Sequence, residues 1–410
     1  MQLYAGAPIE TRPELLPKLA IKPWIRPPPD DFILANARVV DPASSSVRSG
    51  LQNVHIKQGL IASVESAKGL RDEEKNCKVV DVKGAYLPNM TELFQSAEQD
   101  INLRTTYVLK EMLLRGFTTV RDTGGASKRL ALAIEEGLIP GPRLVQCGRG
   151  LSQTGGHGDF SPVGSSSSTT CCGVIKVMVG GGVASETDAI ETVQFTAEEI
   201  KAITTTARQM GGKIVTAHAY TVEAIRHAIE NGVLGIEHGN LIDRATANLM
   251  ASNGIFLTPT LSCYGIMVRP PFEDFLPPDG KIKNAQVMAK GLDALKIAHE
   301  AGVAICYGSD LLTSMHALQT EEFTVRGGVL PADVVLRHAT TNAAKMLGQT
   351  SYIGTISPGA YADLLILAPN ANPLEDVTVL DRPEECLLAV MKGGRVYQSV
   401  VEGLDVDGYI

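Results

Sequence analysis

Residues 213–239, KIVTAHAYTVEAIRHAIENGVLGIEHG, contain the repeating unit that decides the fold of this chain. A short β-rich run that contains His218 is followed by a helix-period segment and a Gly stop. A second β-rich run comes next and contains His238 at its end. Alternation of apolar strands with helical segments is typical of βαβ units and a parallel sheet.

The same unit extends in both directions along the chain. The helix before residue 213 is predicted to begin at a capping box, because Glu199 follows Thr196 at the required spacing. Seven strands result, and an eighth would close a (β/α)8 barrel of the TIM type, with its first strand at AYLPNM, residues 85–90. The seven strands are FTTVRD, RLVQCGRG, VIKVMV, KIVTAHA, VLGIEHG, IFLTPT and VAICYGSD.

Two places depart from a regular barrel. At Pro88 and Asn89 the first strand is too short to place a pair of side chains at its end. Residues 161–173, SPVGSSSSTTCCG, stand where a crossover helix should precede the fourth strand. We therefore predict a barrel whose first strand and whose crossover before strand four are incomplete. The alternative, an open doubly wound sheet, would have a GxGxxG turn after its first strand, and this chain has none.

The segments that flank the barrel have the two-residue alternation of β-strands and no helical runs between them. DDFILANARVVDP at the front and LLAVMKGGRVYQS at the back are examples. We predict that both chain ends form one small β-sandwich domain. The predicted organisation is a Pro-rich arm at 1–30, sandwich strands at 31–87, the barrel at 88–349 and further sandwich strands at 350–410.

Composition limits the class of protein. The chain has 410 residues, enough for a barrel of roughly 250 residues and an accessory domain. Its net charge of -8, without a Lys/Arg run, argues against a nucleic-acid partner. No stretch approaches the ~18 apolar residues of a membrane span, and the scattered cysteines favour a reducing compartment. We expect a cytoplasmic protein without a membrane partner, and the sequence leaves open a homo-oligomer.

Four predicted strands end at or near a residue that can hold a metal, in the order Lys176, His218, His238 and Asp310. Barrel enzymes build their sites at the C-terminal ends of strands, so these side chains can converge. Imidazoles and carboxylates at one site suit Zn²⁺ or another divalent first-row ion, which lowers the pKa of bound water towards ~7. Asp310 could then hold the attacking water and pass its proton to a leaving nitrogen.

Each of these residues also has a structural interpretation. A single His at a strand end is more often hydrogen-bonded to protein than bound to metal. Lys176 could extend its amine to the surface from an ordinary core strand. All four residues stand at or near the C-terminal ends of predicted barrel strands, and this shared position favours a metal site over four separate structural roles.

Several strings in this chain resemble the amidohydrolase superfamily, in its imidazolonepropionase-like and ochratoxinase-like branch. They are IKVMVGGGVAS, TAHAYT, GIEHGN, FLTPTLS, YGSD and HATTNAAKMLG, with TTVRDTGG upstream and SPGAYADLLIL downstream. The resemblance extends over nearly the whole chain. It implies a hydrolase that acts on carbon–nitrogen bonds, with a small-molecule amide such as an N-acyl amino acid, a dipeptide or a cyclic amide as substrate.

The resemblance also implies a two-ion site. Lys176 would carry a carbamate and bridge the ions, since a protonated amine cannot bind metal. His218 and His238 would bind one ion, and Asp310 would bind the other and carry the proton.

Three further residues become candidates for contact with substrate. Tyr264 is similar to a family position that hydrogen-bonds the carbonyl oxygen. His157, in the loop TGGHGDF, matches a recurrent motif of this branch. Tyr220, in AHAY, stands beside the fifth-strand histidine.

This chain departs from the family pattern at its first predicted barrel strand, and that departure leaves more than one function open. Family members have an HxH pair where this chain has LPNMTELF, residues 87–94, and none of its eight histidines supplies that pair. The first ion therefore loses two protein ligands, and we expect one or two ions. We hypothesise that two segments are omitted from the sequence by splice variation or gene prediction. The alternatives are an inactive amidohydrolase-like protein that retains at most one ion and only binds ligand, and a chain that misfolds.

Overall fold

The computed structural model describes residues 31–41, 44, 46–66, 98–154, 156–157, 173–185 and 188–408. The predicted arm at 1–30 and the predicted first barrel strand at 85–90 lie outside the described residues. The same holds for nearly all of the segment at 161–173 that replaces a crossover helix. These three predictions stay predictions.

All seven predicted barrel strands form, in the predicted order along the chain. They are the strands β6 to β12, and they correspond to the second to eighth strands of the predicted barrel. The strands are β1 Phe32–Ala37, β2 Val40–Asp41, β3 Ser46–Val47, β4 Gln52–Lys57, β5 Leu60–Ser66, β6 Thr119–Asp122, β7 Arg143–Gln146, β8 Ile175–Met178, β9 Val215–Ala219, β10 Gly235–His238, β11 Phe256–Thr258, β12 Ala304–Ile305, β13 Leu364–Leu367, β14 Leu387–Lys392 and β15 Arg395–Ser399.

The strands β6 to β12 are parallel and follow one another in space as they do in sequence. β6 pairs with β7, and β8 to β12 form a five-stranded sheet. A bridge between Leu151 and Val177 connects the continuation of β7 to β8. Sequential parallel pairing of this kind is what a βαβ repeat produces.

The sheet is strongly curved. Arg121, on β6, donates hydrogen bonds to Glu237, on β10, and to Thr258, on β11. Residues in register on parallel strands share a face, and Glu237 is in register with Thr258. Their side chains therefore meet Arg121 across the concave face. The described part of the chain gives a curved parallel α/β sheet, and the strand that would close it lies among the residues not described.

Helices cover the convex face of this sheet, and their apolar sides form the main core with outward-facing strand residues such as Val177 and Ala217. The capping box of Thr196 and Glu199 is confirmed at the start of one of them. None of the described helices combines the length and apolar composition needed to cross a bilayer. The helices are α1 Glu98–Leu114, α2 Lys128–Glu135, α3 Ala197–Gln209, α4 Val222–Glu230, α5 Arg244–Ser252, α6 Leu261–Ile266, α7 Pro278–Glu300, α8 Glu321–Gly327, α9 Ala332–Ala339, α10 Thr341–Met346 and α11 Pro383–Cys386.

The Pro-rich segment between β11 and residue 284 contains one helix and the start of a second. Helix α6 forms within it, and helix α7 begins already at Pro278. Proline is well tolerated in the first helical turn, where its missing N–H would have no helical partner. Glu322 accepts hydrogen bonds from the backbone N–H groups of Leu261 and Ser262, which stabilises the start of α6.

The two flanking segments pack together. β1, β4 and β5 form one antiparallel sheet, and β13, β14 and β15 form another. Val54 and Ile61 from the first sheet share a buried core with Leu364 and Met391 from the second. A bridge between Leu60 and Tyr361 joins the two segments. We name this two-sheet unit the end domain; its predicted boundaries with the barrel stay predictions.

Candidate active site

Lys176 lies on the concave face of the sheet. It is in register with Thr216, and its side chain is buried. Burial lowers the pKa of the amine, although the charges of Glu237 and Asp310 act in the opposite direction. A buried amine with a lowered pKa is more easily neutral than a surface lysine, and a neutral amine can act as a nucleophile or be modified.

His218 and His238 lie side by side at the ends of β9 and β10. Their ring centroids are 4.6 Å apart, and both side chains are buried. Burial lowers the pKa of both imidazoles well below the usual range, and neighbouring positive groups add to the effect. Both rings are therefore neutral at ordinary pH, the form in which imidazole binds a metal.

Each of these rings has one nitrogen engaged by protein. His218 Nε2 lies 3.0 Å from the carbonyl oxygen of Gly181 and donates to it. His238 Nδ1 lies 2.8 Å from Thr260 Oγ1. The other nitrogens, His218 Nδ1 and His238 Nε2, have no hydrogen-bond partner among the described residues. Metal-binding histidines show this pattern, since an acceptor or hydroxyl fixes one nitrogen and the other faces the ion.

The backbone of His238 has an unusual conformation. Side chains alternate between the two faces of a strand, so a regular continuation would turn His238 away from the concave face that Glu237 occupies. The φ angle of His238 is 74°, in the left-handed region. This conformation re-aims the side chain towards His218, and a strained residue of this kind is typical of functional sites.

Asp310 also has a left-handed backbone, with a φ angle of 49°, just past β12. Its side chain borders a large cavity and reaches solvent there, while protein atoms surround the carboxyl group. Desolvation by the surrounding protein atoms raises the pKa of Asp310 to about 6; Lys176 opposes this shift and Glu237 adds to it. A carboxyl group with a pKa of about 6 can take up and release a proton near neutral pH.

The three candidate substrate-contact residues surround the two histidines. The ring of His157 stacks on His218 at a centroid distance of 4.2 Å, and the ring of Tyr220 lies 5.0 Å from that of His238. Tyr264 donates a hydrogen bond to Tyr220, with 3.2 Å between the hydroxyl oxygens. The structure thus brings these three residues together with both histidines.

The predicted site residues line one cavity of about 2780 Å³. Among its described lining residues are all seven predicted site residues, and the lining continues to the end domain. Within the described ranges, no group of three or more His, Cys, Asp and Glu side chains is close enough to hold a metal ion. A metal site here therefore needs Lys176, or a group outside those ranges, in addition to His218 and His238.

The sequence did not identify the ion pair at the base of the site. Arg121 Nη1 lies 2.6 Å from Glu237 Oε1, and both side chains are almost fully buried. Burial alone would raise the pKa of Glu237, but Arg121 and then Lys176 lower it below the usual range. The signal available in the sequence was a charged residue inside each of two apolar strands, in TVRD and in GIEH. Only their position on one concave face shows that the two are partners.

Comparison with known proteins gives a consistent result. Residues 54–397 match the family model described as the amidohydrolase family. Ochratoxinase from Aspergillus niger is 31% identical over 327 residues, which is 70% of this chain and 67% of that protein.

Two similar solved structures match a greater share of this chain than the sequence alignment with ochratoxinase does. One described as an amidohydrolase is 35% identical, with a TM-score of 0.81, and the match covers 91% of this chain and 100% of that one. One described as a prolidase in complex with N-methylphosphonate-L-proline is 34% identical, also with a TM-score of 0.81, and the match covers 90% of this chain and 100% of that one.

Proposed function

The chain belongs to the amidohydrolase family, and from that premise we propose that it is a metal-dependent hydrolase that cleaves an amide bond of a small molecule. The observation that carries the proposal is the pair His218 and His238. Each is neutral, each is fixed through one nitrogen, and the other nitrogen of each has no hydrogen-bond partner among the described residues near the buried Lys176. Structural histidines in a protein interior normally use their polar atoms on protein.

We propose that Lys176, His218 and His238 hold one metal ion, and that Asp310 contributes to the site of a second ion with Lys176. The donor set fits Zn²⁺ or a similar divalent ion, because it combines neutral imidazoles with a carboxylate. Lys176 joins the set as a carbamate, which forms when its neutral amine adds to carbon dioxide and loses a proton. When bound, the ion would polarise the amide carbonyl and lower the pKa of a water molecule.

Protein residues transfer the proton and stabilise the carbonyl oxygen. Asp310, with its pKa raised to about 6, accepts the proton of the attacking water and delivers it to the leaving nitrogen. His157 and Tyr264 lie on either side of the histidine pair, where a hydroxyl or an imidazole N–H can donate to the carbonyl oxygen. Donors placed before the reaction starts stabilise the negative charge that develops on that oxygen.

We propose a dipeptide or an N-acyl amino acid as the substrate class. The similar solved prolidase was captured with N-methylphosphonate-L-proline, and ochratoxinase is the similar curated protein. Tyr220 and Tyr264 present hydroxyl groups beside an apolar cluster that contains Val183, Met267 and Leu311. This combination suits a compact ligand with one polar end and one apolar end.

A second candidate function is ligand binding without turnover. The observation in its favour is that none of the eight histidines forms the HxH pair of the family. A site with a single ion bound by Lys176, His218 and His238 would retain a ligand without completing the reaction.

Metal analysis together with an amidase panel separates the two candidates. We expect Zn²⁺-dependent turnover that falls at least about a thousandfold in Lys176→Ala, since the contribution of a catalytic metal is worth several kcal/mol. The matched control is Lys296→Ala, at an exposed position on α7, which should keep full activity. A parallel version with an HxH segment restored before Asn89 tests the omission hypothesis. One bound ion per chain and no turnover on any amide would favour the binding function, and turnover unchanged in Lys176→Ala would contradict both.

A further inference from the structure

The glycine run Gly180–Gly182, directly after β8, lets a later segment return to the site. Gly181 N donates to the carbonyl of Thr192 at 3.0 Å, and Gln194 N donates to the carbonyl of Val179 at 2.9 Å. A Cβ atom at Gly181 would lie 1.8 Å from the carbonyl oxygen of Ala189. Only a residue without a side chain permits this approach, so the returning segment depends on the glycine run.

The ring of His157 lies directly on Gly182. A Cβ atom at Gly182 would be 1.9 Å from His157 Cε1 and 2.0 Å from Nδ1. The other face of the ring stacks on His218 with an interplanar angle of 29°. The imidazole therefore occupies a slot between a glycine and a proposed metal ligand.

Two polar side chains from the returning segment hold the same histidine. Gln194 Oε1 accepts a hydrogen bond from His157 N at 3.1 Å, and Gln194 Nε2 donates to Asp188 Oδ2 at 3.1 Å. Asp188 Oδ2 lies 3.9 Å from His157 Nδ1, and Asp188 Oδ1 accepts from Gly182 N at 3.2 Å. Lys283, on α7, donates to the backbone carbonyl of Asp188 and fixes the segment from behind.

We propose that Gly182, Asp188 and Gln194 are positioning residues, which we name the His157 cradle, and that they serve amide hydrolysis by orienting the imidazole of His157. The inference rests on the proposed function. The cradle aims the imidazole at the cavity that the proposed metal ligands also line. A displacement of about 1 Å at a reacting centre can cost about a hundredfold in rate, so loss of the cradle should be visible in kcat.

The first test is Gly182→Ala, because the added methyl group would displace the ring of His157. We expect kcat to fall about tenfold to a hundredfold, with KM changed less than about threefold. The matched control is Gly180→Ala in the same run, where the added Cβ would have ordinary contacts of 3.5 Å to Ala219 and Ala224. The control should keep kcat within about twofold of the unmodified protein, since no contact becomes closer than van der Waals distance.

The decisive test is a double-mutant cycle with His157→Ala. Without the imidazole, the methyl group of Gly182→Ala has room, so the double variant should equal His157→Ala in kcat and should recover the melting temperature that Gly182→Ala alone loses. A simple structural role for Gly182 would instead give effects that add in both measurements. Additive effects in the cycle overturn the proposal.

Gln194 and Asp188 offer a rescue experiment. Gln194→Glu alone places two carboxylates against each other and should lower kcat. The added change Asp188→Asn restores a donor to face the new carboxylate and should recover most of kcat. Absence of any recovery overturns the assignment of these two residues.

Failure of the inference and failure of the proposed function give different results. If the chain does not hydrolyse amides, every variant is inactive, while the cycle in melting temperature still shows the steric coupling of Gly182 and His157. If only the inference fails, the unmodified chain is active and the effects add.

Discussion

Two buried polar clusters lie at the carboxyl ends of the same parallel sheet, and they use their polar atoms differently. The site cluster contains Lys176, His218 and His238. The anchor cluster, as we name it, is the pair Glu322 and Arg326, on α8, with both side chains completely buried. Both clusters are costly to bury, so each must have a compensating interaction.

In the anchor cluster that compensation comes entirely from protein. Arg326 Nε donates to Glu322 at 2.7 Å, and its terminal nitrogens donate to the carbonyl oxygens of Cys306 and Pro259. The other Glu322 oxygen accepts from the N–H of Ser262 at 2.7 Å. The pair therefore joins the ends of β11 and β12 to the start of α6, the helix that carries the site residue Tyr264.

In the site cluster, not every polar atom has a hydrogen-bond partner among the described residues. One nitrogen of His218 and one of His238 have no protein partner there, and no hydrogen bond of the Lys176 amine occurs with a described residue. Burial and charge alone therefore do not distinguish a candidate site from a structural ion pair. The two clusters differ in their unpaired polar atoms. Those of the site cluster that have no partner among the described residues remain available to bind a ligand.

The largest loss of stability is expected when Arg326 is removed from the anchor cluster. Arg326→Ala should lower the free energy of unfolding by about 3–5 kcal/mol, because it leaves the buried Glu322 carboxylate without its partner. Arg244→Ala is the matched control, since Arg244 pairs with Glu300 at a half-exposed position and should cost about 1 kcal/mol at most. Urea titration of both variants measures the difference. Equal losses in the two variants would contradict a special role for the anchor cluster.

His316 is a partly buried histidine that belongs to neither cluster. His316 Nδ1 has no hydrogen-bond partner among the described residues, and burial, followed by the charge of Arg115, lowers the pKa of His316 to about 4. The unfolded chain takes up this proton below about pH 6.5, whereas the folded protein does so only near pH 4. Stability should therefore fall as the pH is lowered from 6.5 to 4, by at most about 3 kcal/mol from this residue.

His316→Leu removes that titration. The variant should lose less stability than the unmodified protein over the same pH interval, in urea titrations at several pH values, and should retain its turnover. An unchanged pH dependence would show that His316 does not contribute. A loss of turnover would show that a single unpaired nitrogen is itself a functional signal.

The smallest effect is expected from Thr260, whose hydroxyl group hydrogen-bonds to His238. Thr260→Val removes the hydroxyl group 2.8 Å from His238 Nδ1 and should weaken metal binding about tenfold to a hundredfold. Competition with a chelator measures the affinity, and Thr206→Val, at an exposed position on α3, is the control. Unchanged affinity would mean that Thr260 does not orient the ring.

The sequence predicts local features of this molecule well. The period of the apolar residues predicts all seven parallel strands from β6 to β12, and Thr196 with Glu199 predicts the start of a helix. The order Lys176, His218 and His238 on successive strands places these residues at one site, because parallel strands end at the same edge. Each of these inferences needs only a short window of sequence and the rule of alternation.

What the sequence does not reveal depends on curvature and on backbone conformation. Arg121 and Glu237 look like isolated charges in apolar strands until the curvature of the sheet brings them together. The φ angle of His238 cannot be read from its neighbours, and neither can the contact of His157 with Gly182. The start of α6 depends on a carboxylate of Glu322 that is remote in sequence.

The shared core of the end domain sets an order of events during synthesis. Val54 and Ile61 leave the ribosome before Leu364 and Met391, with which they pack, and the residues of the parallel sheet are made in between. Until then the hairpin of β4 and β5 presents an apolar face without its partner sheet, a condition that favours aggregation. Contacts between remote segments form late, because the intervening chain must first be closed into a loop. Strands β4 and β5 are therefore expected to reach their final environment only after β13 and β14 have been made.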